Sequence, residues 1–147
     1  MPRPMPGAWV RVAPRLQASL EILDIFSLRP HEQVQKALLE KTMREIVEEG
    51  RLHLPVLVER EHRVILDGHH RYEALRRLGC RRVPCYVVDY ASEEIRLTTW
   101  PGATVDRVSK EEVVDHGMRG QLFPPKTTRH LLNETLPESP VALKDLM

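Results

Sequence analysis

A glycine separates a run of β-forming residues from a helical pattern in the middle of the chain. The segment reads RVILDGHHRYEALRRLG, in which Gly68 closely follows the β-forming residues 63–66. After this glycine, Tyr72, Leu75 and Leu78 recur at helical spacing. Glycine tolerates a positive φ and lets a ligand approach the backbone closely. We therefore predict a strand, a tight turn open to a ligand, and a helix.

The same alternation of strands and helices extends along the rest of the chain. The patterns predict one helix that begins around Pro30 and ends at Gly50, and another near residues 110–116. Residues 17–28 are predicted to form a short strand and a loop, and further strands are predicted at residues 53–60, 63–66, 83–90 and 95–100. Because the turn at residues 61–62 is hairpin-like, we predict an α+β (α/β) fold with a small mixed sheet flanked by helices. Residues 1–16 are interpreted as an N-terminal extension, and residues 17–147 as a single domain.

Charge and composition disfavour several classes of protein. The 147 residues include 22 Lys and Arg against 21 Asp and Glu, a net charge of +1, whereas a duplex-binding domain usually shows a basic stripe. No stretch approaches the roughly 20 apolar residues that cross a bilayer, and the N-terminus lacks the apolar block of a signal peptide. We expect a cytoplasmic protein with no membrane partner, in which Cys80 and Cys85 are free thiols.

The turn around Gly68 has the residues of a phosphate site. A helix start presents unpaired N–H groups and the positive end of the helix dipole. His69, His70 and Arg71 add cationic side chains there, and Arg71 offers a planar fork for phosphate oxygens. Asp67 is a hard oxygen ligand suited to Mg²⁺. The other interpretation, a helix cap with solvated histidines, stays open on these residues alone.

A second cationic segment, PPKTTRH, lies near the C-terminus. Lys126, Thr127, Thr128, Arg129 and His130 supply an ammonium, two hydroxyls, a guanidinium and an imidazole in one turn. If a threonine caps a helix over the next apolar residues, hydroxyls and free amides converge on one point. For this segment alone, a plain basic helix cap after the two prolines is slightly favoured. The two segments together favour a site that binds a polyphosphate, or a donor phosphate beside an acceptor.

Two further residues are candidates only in combination with these segments. Glu32 is predicted in the first turn of the helix after Pro30, where the helix dipole favours its ionised form. An ionised carboxylate near an alcohol can accept its proton during attack on phosphorus. Most glutamates in first turns are only dipole partners. Trp100 ends a predicted strand, and its ring belongs either to a cleft or to the core.

At this level of detail the sequence resembles a known family. The segment DGHHRYEALRRLG resembles the signature of the ParB/sulfiredoxin-like superfamily, and RPHEQVQ, LTTWPGA and LFPPKTTRHLL add a narrower similarity to the free L-serine kinases. The similarity covers roughly residues 19–147. It implies a ParB/sulfiredoxin-like fold and transfer of a phosphoryl group from ADP or ATP to L-serine, with Mg²⁺ as cofactor and O-phospho-L-serine as product.

The resemblance also implies roles for individual residues. Glu32 corresponds to the catalytic base, and Asp67 to a catalytic residue that binds the metal. Residues 68–71 and 126–130 correspond to the segments that hold nucleotide and phosphate, while Trp100 and His31 correspond to the serine pocket. One departure is that only about two dozen residues separate Trp100 from the second cationic segment, where family members have a long segment.

Other functions fit parts of the pattern. A sulfiredoxin needs a cysteine where this chain has His69. A ParB-like regulator would add a helical DNA-binding domain, which we do not expect here, and the near-neutral charge disfavours DNA. A nuclease would need a two-metal carboxylate cluster that the sequence lacks. A nucleotide-binding module without turnover remains the alternative to the enzyme.

Overall fold

A mixed five-stranded sheet forms the centre of the protein. The computed structural model describes residues 10–11 and 16–147. The strands are β1 (Val10–Arg11), β2 (Gln17–Asp24), β3 (Arg51–Leu52), β4 (Val56–Glu59), β5 (Ile65–Asp67), β6 (Arg82–Val88), β7 (Ile95–Thr99), β8 (Thr128–Leu132) and β9 (Val141–Ala142). The helices are α1 (Lys36–Glu49), α2 (His69–Arg77) and α3 (Lys110–Arg119). The sheet order is β1-β2-β6-β4-β5, with β4 and β6 parallel and the other pairs antiparallel.

Both faces of this sheet are covered, because apolar side chains alternate along its strands. Val56 and Val58 point to one face, where α1 and α2 pack through Leu39 and Leu75. Leu57, between the two valines, belongs to a second cluster on the other face, together with residues of β7 and α3. Side chains in a strand alternate between faces. The predicted fold class is confirmed, and the predicted N-terminal extension lies largely outside the described residues.

The segment before α1 is extended, not helical. The prediction that Glu32 lies in the first turn of a helix is wrong, because α1 begins only at Lys36. Backbone groups of residues 29–33 are bonded to other segments: Arg29 to Arg63, and Gln33 to the Phe123 carbonyl. Backbone groups engaged in these long-range bonds are not available for a helical turn. Glu32 therefore lies on an extended segment that is hydrogen-bonded to Arg63 at one end and to Phe123 at the other.

The second cationic segment also differs from the prediction. It was predicted to start a helix, but residues 128–132 form strand β8, which pairs antiparallel with β7. β-Branched threonines favour strands, and the two preceding prolines do not commit the chain to a helix. The β7–β8 ribbon is separate from the central sheet. Both cysteines are free and buried, as predicted.

The described part of the chain has no helix long and apolar enough to cross a membrane.

Helix α3 packs tightly on the start of β5 through a glycine. A Cβ added at Gly117 would lie 2.7 Å from both γ-carbons of the buried Val64. Gly117→Ala gains helix propensity of about 1 kcal/mol but overpacks the contact, which costs about 1–3 kcal/mol. We expect a net loss of about 1 kcal/mol in the free energy of unfolding, measured by urea denaturation. Met118→Ala, at the exposed neighbouring position, should change it by less than about 0.5 kcal/mol; an equal or greater stability of Gly117→Ala would contradict this packing.

Candidate active site

The turn after β5 and the start of β8 open onto one cleft. This cleft has a volume of about 620 Å³. It is lined by Glu32, Leu38, Thr42, Glu45, Leu66, Asp67, Gly68, His69, His70, Arg71, Trp100, Lys126, Thr128, Arg129, His130 and Leu131. Eleven of these sixteen residues were predicted as site residues. The sequence missed the face of α1 that lines the cleft, although its spacing at 38, 42 and 45 is that of one helix face.

The carboxylate of Glu32 holds the start of β8. Its Oε1 accepts hydrogen bonds from the backbone N–H groups of Thr127 and Thr128, at 3.1 and 2.7 Å, and lies 2.9 Å from the Thr128 hydroxyl. Burial raises the pKa of Glu32 above its ordinary value, and the hydrogen bonds from Thr128 and Thr127 partly oppose this shift. Glu32 is thus a partly buried carboxylate whose affinity for a proton is increased.

The amides predicted to bind phosphate are therefore occupied by a side chain of the protein itself. Lys126 adopts a left-handed backbone conformation, with a φ of 58°. This conformation directs successive N–H groups toward one point, as in anion-binding nests. The Thr127 side chain is buried and donates to the Pro124 carbonyl. The predicted contact of the Thr127 hydroxyl with phosphate is wrong for this reason.

Two histidines at the start of α2 act as acceptors for the segment that carries Glu32. His69 Nε2 accepts from the backbone N–H of His31 at 3.2 Å, and His70 Nε2 accepts from that of Gln35 at 3.0 Å. A neutral imidazole that accepts through Nε2 carries its proton on Nδ1. Burial lowers the pKa of both histidines. Both rings are therefore neutral, accepting through Nε2 and keeping an Nδ1–H, and are not the cations that the sequence suggested.

Gly68 makes room for an arginine beneath the turn. Its φ is 104°, and a Cβ there would lie 2.8 Å from Arg71 Nη2. The Arg71 guanidinium donates to the Leu54 and Pro55 carbonyls and lies 3.8 Å from the Asp67 carboxylate. The positive φ predicted for Gly68 is confirmed. Part of the Arg71 fork is bonded to the protein, so less of it is available to phosphate than the sequence suggested.

Two cations lie against the ring of Trp100. Lys126 Nζ is 5.1 Å and Arg129 Cζ 4.4 Å from the ring centroid, within the range of cation–π attraction. Among residues 10–11 and 16–147, no carboxylate lies within 4.0 Å of either cation. Their charge is therefore available to an anion. Trp100 lines the cleft, so of the two positions left open for its ring by the sequence, the structure has the cleft and not the core.

His31 does not reach the cleft. Its side chain is fully buried, with Nδ1 2.6 Å from the Ile65 carbonyl and Nε2 2.8 Å from Thr128 Oγ1. The prediction that His31 contacts the substrate is wrong, because its ring is buried between the Ile65 carbonyl and Thr128. His130 lines the cleft, and its Nε2 lies 2.7 Å from the Tyr90 hydroxyl. Burial, with the nearby charge of Lys110, lowers the pKa of His130 to about 4.

The chain belongs to the ParB N-terminal domain family, whose sequence profile matches residues 13–99. Within this family it is similar to curated proteins with a specific activity. It is 33% identical over 104 residues to the ATP-dependent L-serine kinase of Staphylothermus marinus, a match that covers 67% of this chain and 41% of that protein. It is 29% identical over 115 residues to the ADP-dependent L-serine kinase SerK of Thermococcus kodakarensis, a match that covers 69% of this chain and 48% of that protein. The chain thus spans less than half the length of these two relatives.

A solved structure has the same fold over nearly its whole chain. This structure, a free serine kinase in complex with AMP, superposes with a TM-score of 0.81 at 19% identity. The superposition covers 87% of this chain and 93% of that one. At this identity the likeness establishes the fold. The resemblance predicted from the sequence is confirmed by the family and by these similarities.

Proposed function

We propose that this protein transfers the terminal phosphoryl group of ADP or ATP to the hydroxyl of free L-serine, which yields O-phospho-L-serine. One observation carries the proposal. The cleft combines a carboxylate of raised proton affinity, Glu32, with the cations Lys126 and Arg129, which have no carboxylate partner among the described residues, and with the glycine turn at Gly68. Phosphoryl transfer needs this set of groups: one to take a proton, and several to neutralise charge around phosphorus.

The proposed reaction is an in-line displacement. The serine oxygen forms a bond to the terminal phosphorus as the bond from that phosphorus to the nucleotide oxygen breaks. The hydroxyl proton passes to Glu32. Lys126 and Arg129 hold the phosphate oxygens from the Trp100 side, while the neutral Nδ1–H groups of the two α2 histidines are available as further donors. Similarity to the named kinases supports serine as the acceptor and a nucleotide as the donor.

Mg²⁺ fits one carboxylate of the cleft. The described residues include no group of three or more His, Cys, Asp or Glu that could hold a metal by themselves. Mg²⁺ is usually held by one or two carboxylates together with substrate phosphates. The side chain of Asp67 is 68% exposed and lines the cleft, so it would hold the ion jointly with the nucleotide. When bound, Mg²⁺ would neutralise phosphate charge.

The direct test is product formation with defined donors and acceptors. Purified protein is incubated with Mg²⁺, L-serine and either ADP, ATP or CTP, and phosphoserine is measured by mass spectrometry. We expect phosphoserine with an adenine nucleotide, and less product from threonine or homoserine. Nucleotide binding without any phosphorylated amino acid would refute the proposal and favour the module without turnover, the second candidate that the family allows.

The pH dependence of kcat should report on Glu32. Its raised pKa means that the carboxylate is protonated, and unable to accept a proton, at pH values where an ordinary glutamate is ionised. We expect kcat to fall about tenfold per pH unit below a midpoint above 4.5, the ordinary glutamate pKa. The pKa of His31 is lowered to about 3 and that of His130 to about 4, so neither produces this limb. A midpoint at or below 4.5 would contradict the assignment.

A further inference from the structure

Three successive contacts, two of them buried and one partly buried, connect the Ile65 carbonyl to Glu32. His31 Nδ1 lies 2.6 Å from Ile65 O, and His31 Nε2 lies 2.8 Å from Thr128 Oγ1. Thr128 Oγ1 in turn lies 2.9 Å from Glu32 Oε1. His31 and Thr128 are both buried. All three distances are those of hydrogen bonds, so each contact needs one proton between its two heavy atoms.

With His31 neutral and Glu32 ionised, the three contacts share only two protons. A carbonyl oxygen only accepts, so Nδ1 of His31 must carry the proton of that ring. Burial lowers the pKa of His31 to about 3, so the ring is neutral near pH 7 and its Nε2 is an acceptor. Thr128 has a single hydroxyl proton, which serves either His31 or Glu32. With Glu32 ionised, one of the three contacts therefore brings two acceptors together.

The missing proton is the one that phosphoryl transfer would deliver to Glu32. We propose that the Thr128 hydroxyl turns from Glu32 to His31 Nε2 when Glu32 gains a proton, and that His31 thereby strengthens Glu32 as a base. This inference rests on the proposed function for its role in catalysis. His31 and Thr128 are positioning residues in it, since the proton moves from the serine oxygen to Glu32 and no further.

The energetic reason lies in the unpaired nitrogen. While Glu32 is ionised, Thr128 donates to it and the buried Nε2 of His31 lacks a donor, which is unfavourable. Once the proton is on Glu32 Oε1, Glu32 donates to Thr128 Oγ1, and the Thr128 hydroxyl can donate to the imidazole, so that each of the three contacts holds one proton. The backbone N–H groups of Thr127 and Thr128 hold Glu32 in place in both states. Proton uptake thus restores a buried hydrogen bond, which favours it.

Other charged or titratable groups surround these contacts. The charged or titratable groups around His31 and along the cleft are Glu45 of α1, His69, His70 and Arg71 of α2, His116 of α3, Asp67 of β5, Lys126, and Arg129 and His130 of β8. The pKa of His69 is lowered by burial, as is that of His130. Burial thus shifts the pKa of these two rings downward and that of Glu32 upward, and the Glu32 signal is identified individually in the test.

The test is a double-mutant cycle with the pKa of Glu32 as its readout. His31→Asn keeps an N–H close to the position of Nδ1 but removes Nε2, and Thr128→Val removes the hydroxyl at nearly constant volume. The pKa is measured by ¹³C NMR of the carboxyl groups, with the Glu32 signal identified by its absence in Glu32→Gln. We expect His31→Asn to lower this pKa by about one unit. In the Thr128→Val background it should shift by less than about 0.3 unit.

Thr128→Ser is the matched control, because it keeps the hydroxyl and should retain the full effect of His31→Asn. An equal shift in the Thr128→Val and wild-type backgrounds, or no shift in either, would overturn the proposal. A second measurement needs no change at His31: the ¹⁵N signal of its Nε2 should move with the titration of Glu32 in the wild type and not in Thr128→Val. An Nε2 signal that does not change as Glu32 titrates in the wild type would also overturn the proposal.

Both NMR readouts are independent of turnover. If the effect of His31 on the pKa of Glu32 depends on Thr128 and no phosphoserine forms, the proposed function fails and the reorientation of the Thr128 hydroxyl stands. If phosphoserine forms and the pKa of Glu32 shows no such dependence, the reorientation fails and the proposed function stands. With both present, the acidic limb of the kcat profile should move to lower pH in His31→Asn by the same amount as the pKa.

Discussion

Replacing Glu32 with glutamine is expected to lower kcat for phosphoserine formation by about 10²–10⁴-fold, because a group that takes the proton in the transition state contributes on this scale. Glutamine is the informative replacement. Its amide oxygen can still accept from the backbone N–H groups of Thr127 and Thr128, so the start of β8 should stay in place. Initial rates at saturating serine and nucleotide, combined with calorimetric titration of ADP, measure the two effects separately.

The matched control is Glu48→Gln, at an exposed position in the last turn of α1. It removes the same charge from the protein without touching the cleft, and its kcat should equal that of the wild type. Nucleotide affinity of Glu32→Gln should lie within about threefold of the wild type, since little uniform binding is lost. Retention of full turnover by Glu32→Gln would exclude Glu32 as the base.

Removal of the Arg129 side chain should weaken nucleotide binding about 10–100-fold, because charge-assisted hydrogen bonds to phosphate are worth about 1.5–3 kcal/mol. Arg129 lies over the Trp100 ring and has no carboxylate partner within 4.0 Å in the described part of the chain. Its loss therefore leaves no unpaired acid behind, and the change in affinity reports on the ligand. The measurement is calorimetric titration of Arg129→Ala with ADP and Mg²⁺ at low salt.

Two other variants separate charge from geometry. Arg129→Lys keeps the charge but loses the planar fork, and should recover only part of the affinity. Arg119→Ala removes an exposed arginine of α3 that pairs with Asp115 away from the cleft, and should bind ADP like the wild type. Unchanged affinity in Arg129→Ala would remove Arg129 from the phosphate site.

The sequence was most informative where the signal is local. Gly68, with a strand before it and a helical pattern after it, correctly predicted the turn and its positive φ. The free thiols and the mixed sheet were also correct, since both follow from composition and short-range pattern. That the two cationic segments share a cleft followed from their chemistry, because one polyphosphate would engage both.

The errors concern contacts between distant segments. Glu32 bonds to residues 95 and 96 positions away, and His31 to Thr128, 97 positions away. Such contacts leave no trace in helical or strand periodicity, so Pro30 was taken as the start of a helix that begins at Lys36. For the same reason, the threonines of the second cationic segment were assigned to a helix cap, although they pair with β7.

The attachment of β8 to Glu32 has a consequence for altering this protein. A shorter acid such as aspartate would move the reactive oxygen and also pull or release the backbone that carries Lys126 and Arg129. The reactivity of the carboxylate and the position of the phosphate-binding cations therefore cannot be changed independently at this residue. A redesign toward a different alcohol has more freedom on α1, because its cleft-lining side chains Leu38, Thr42 and Glu45 make none of the hydrogen bonds that hold Glu32.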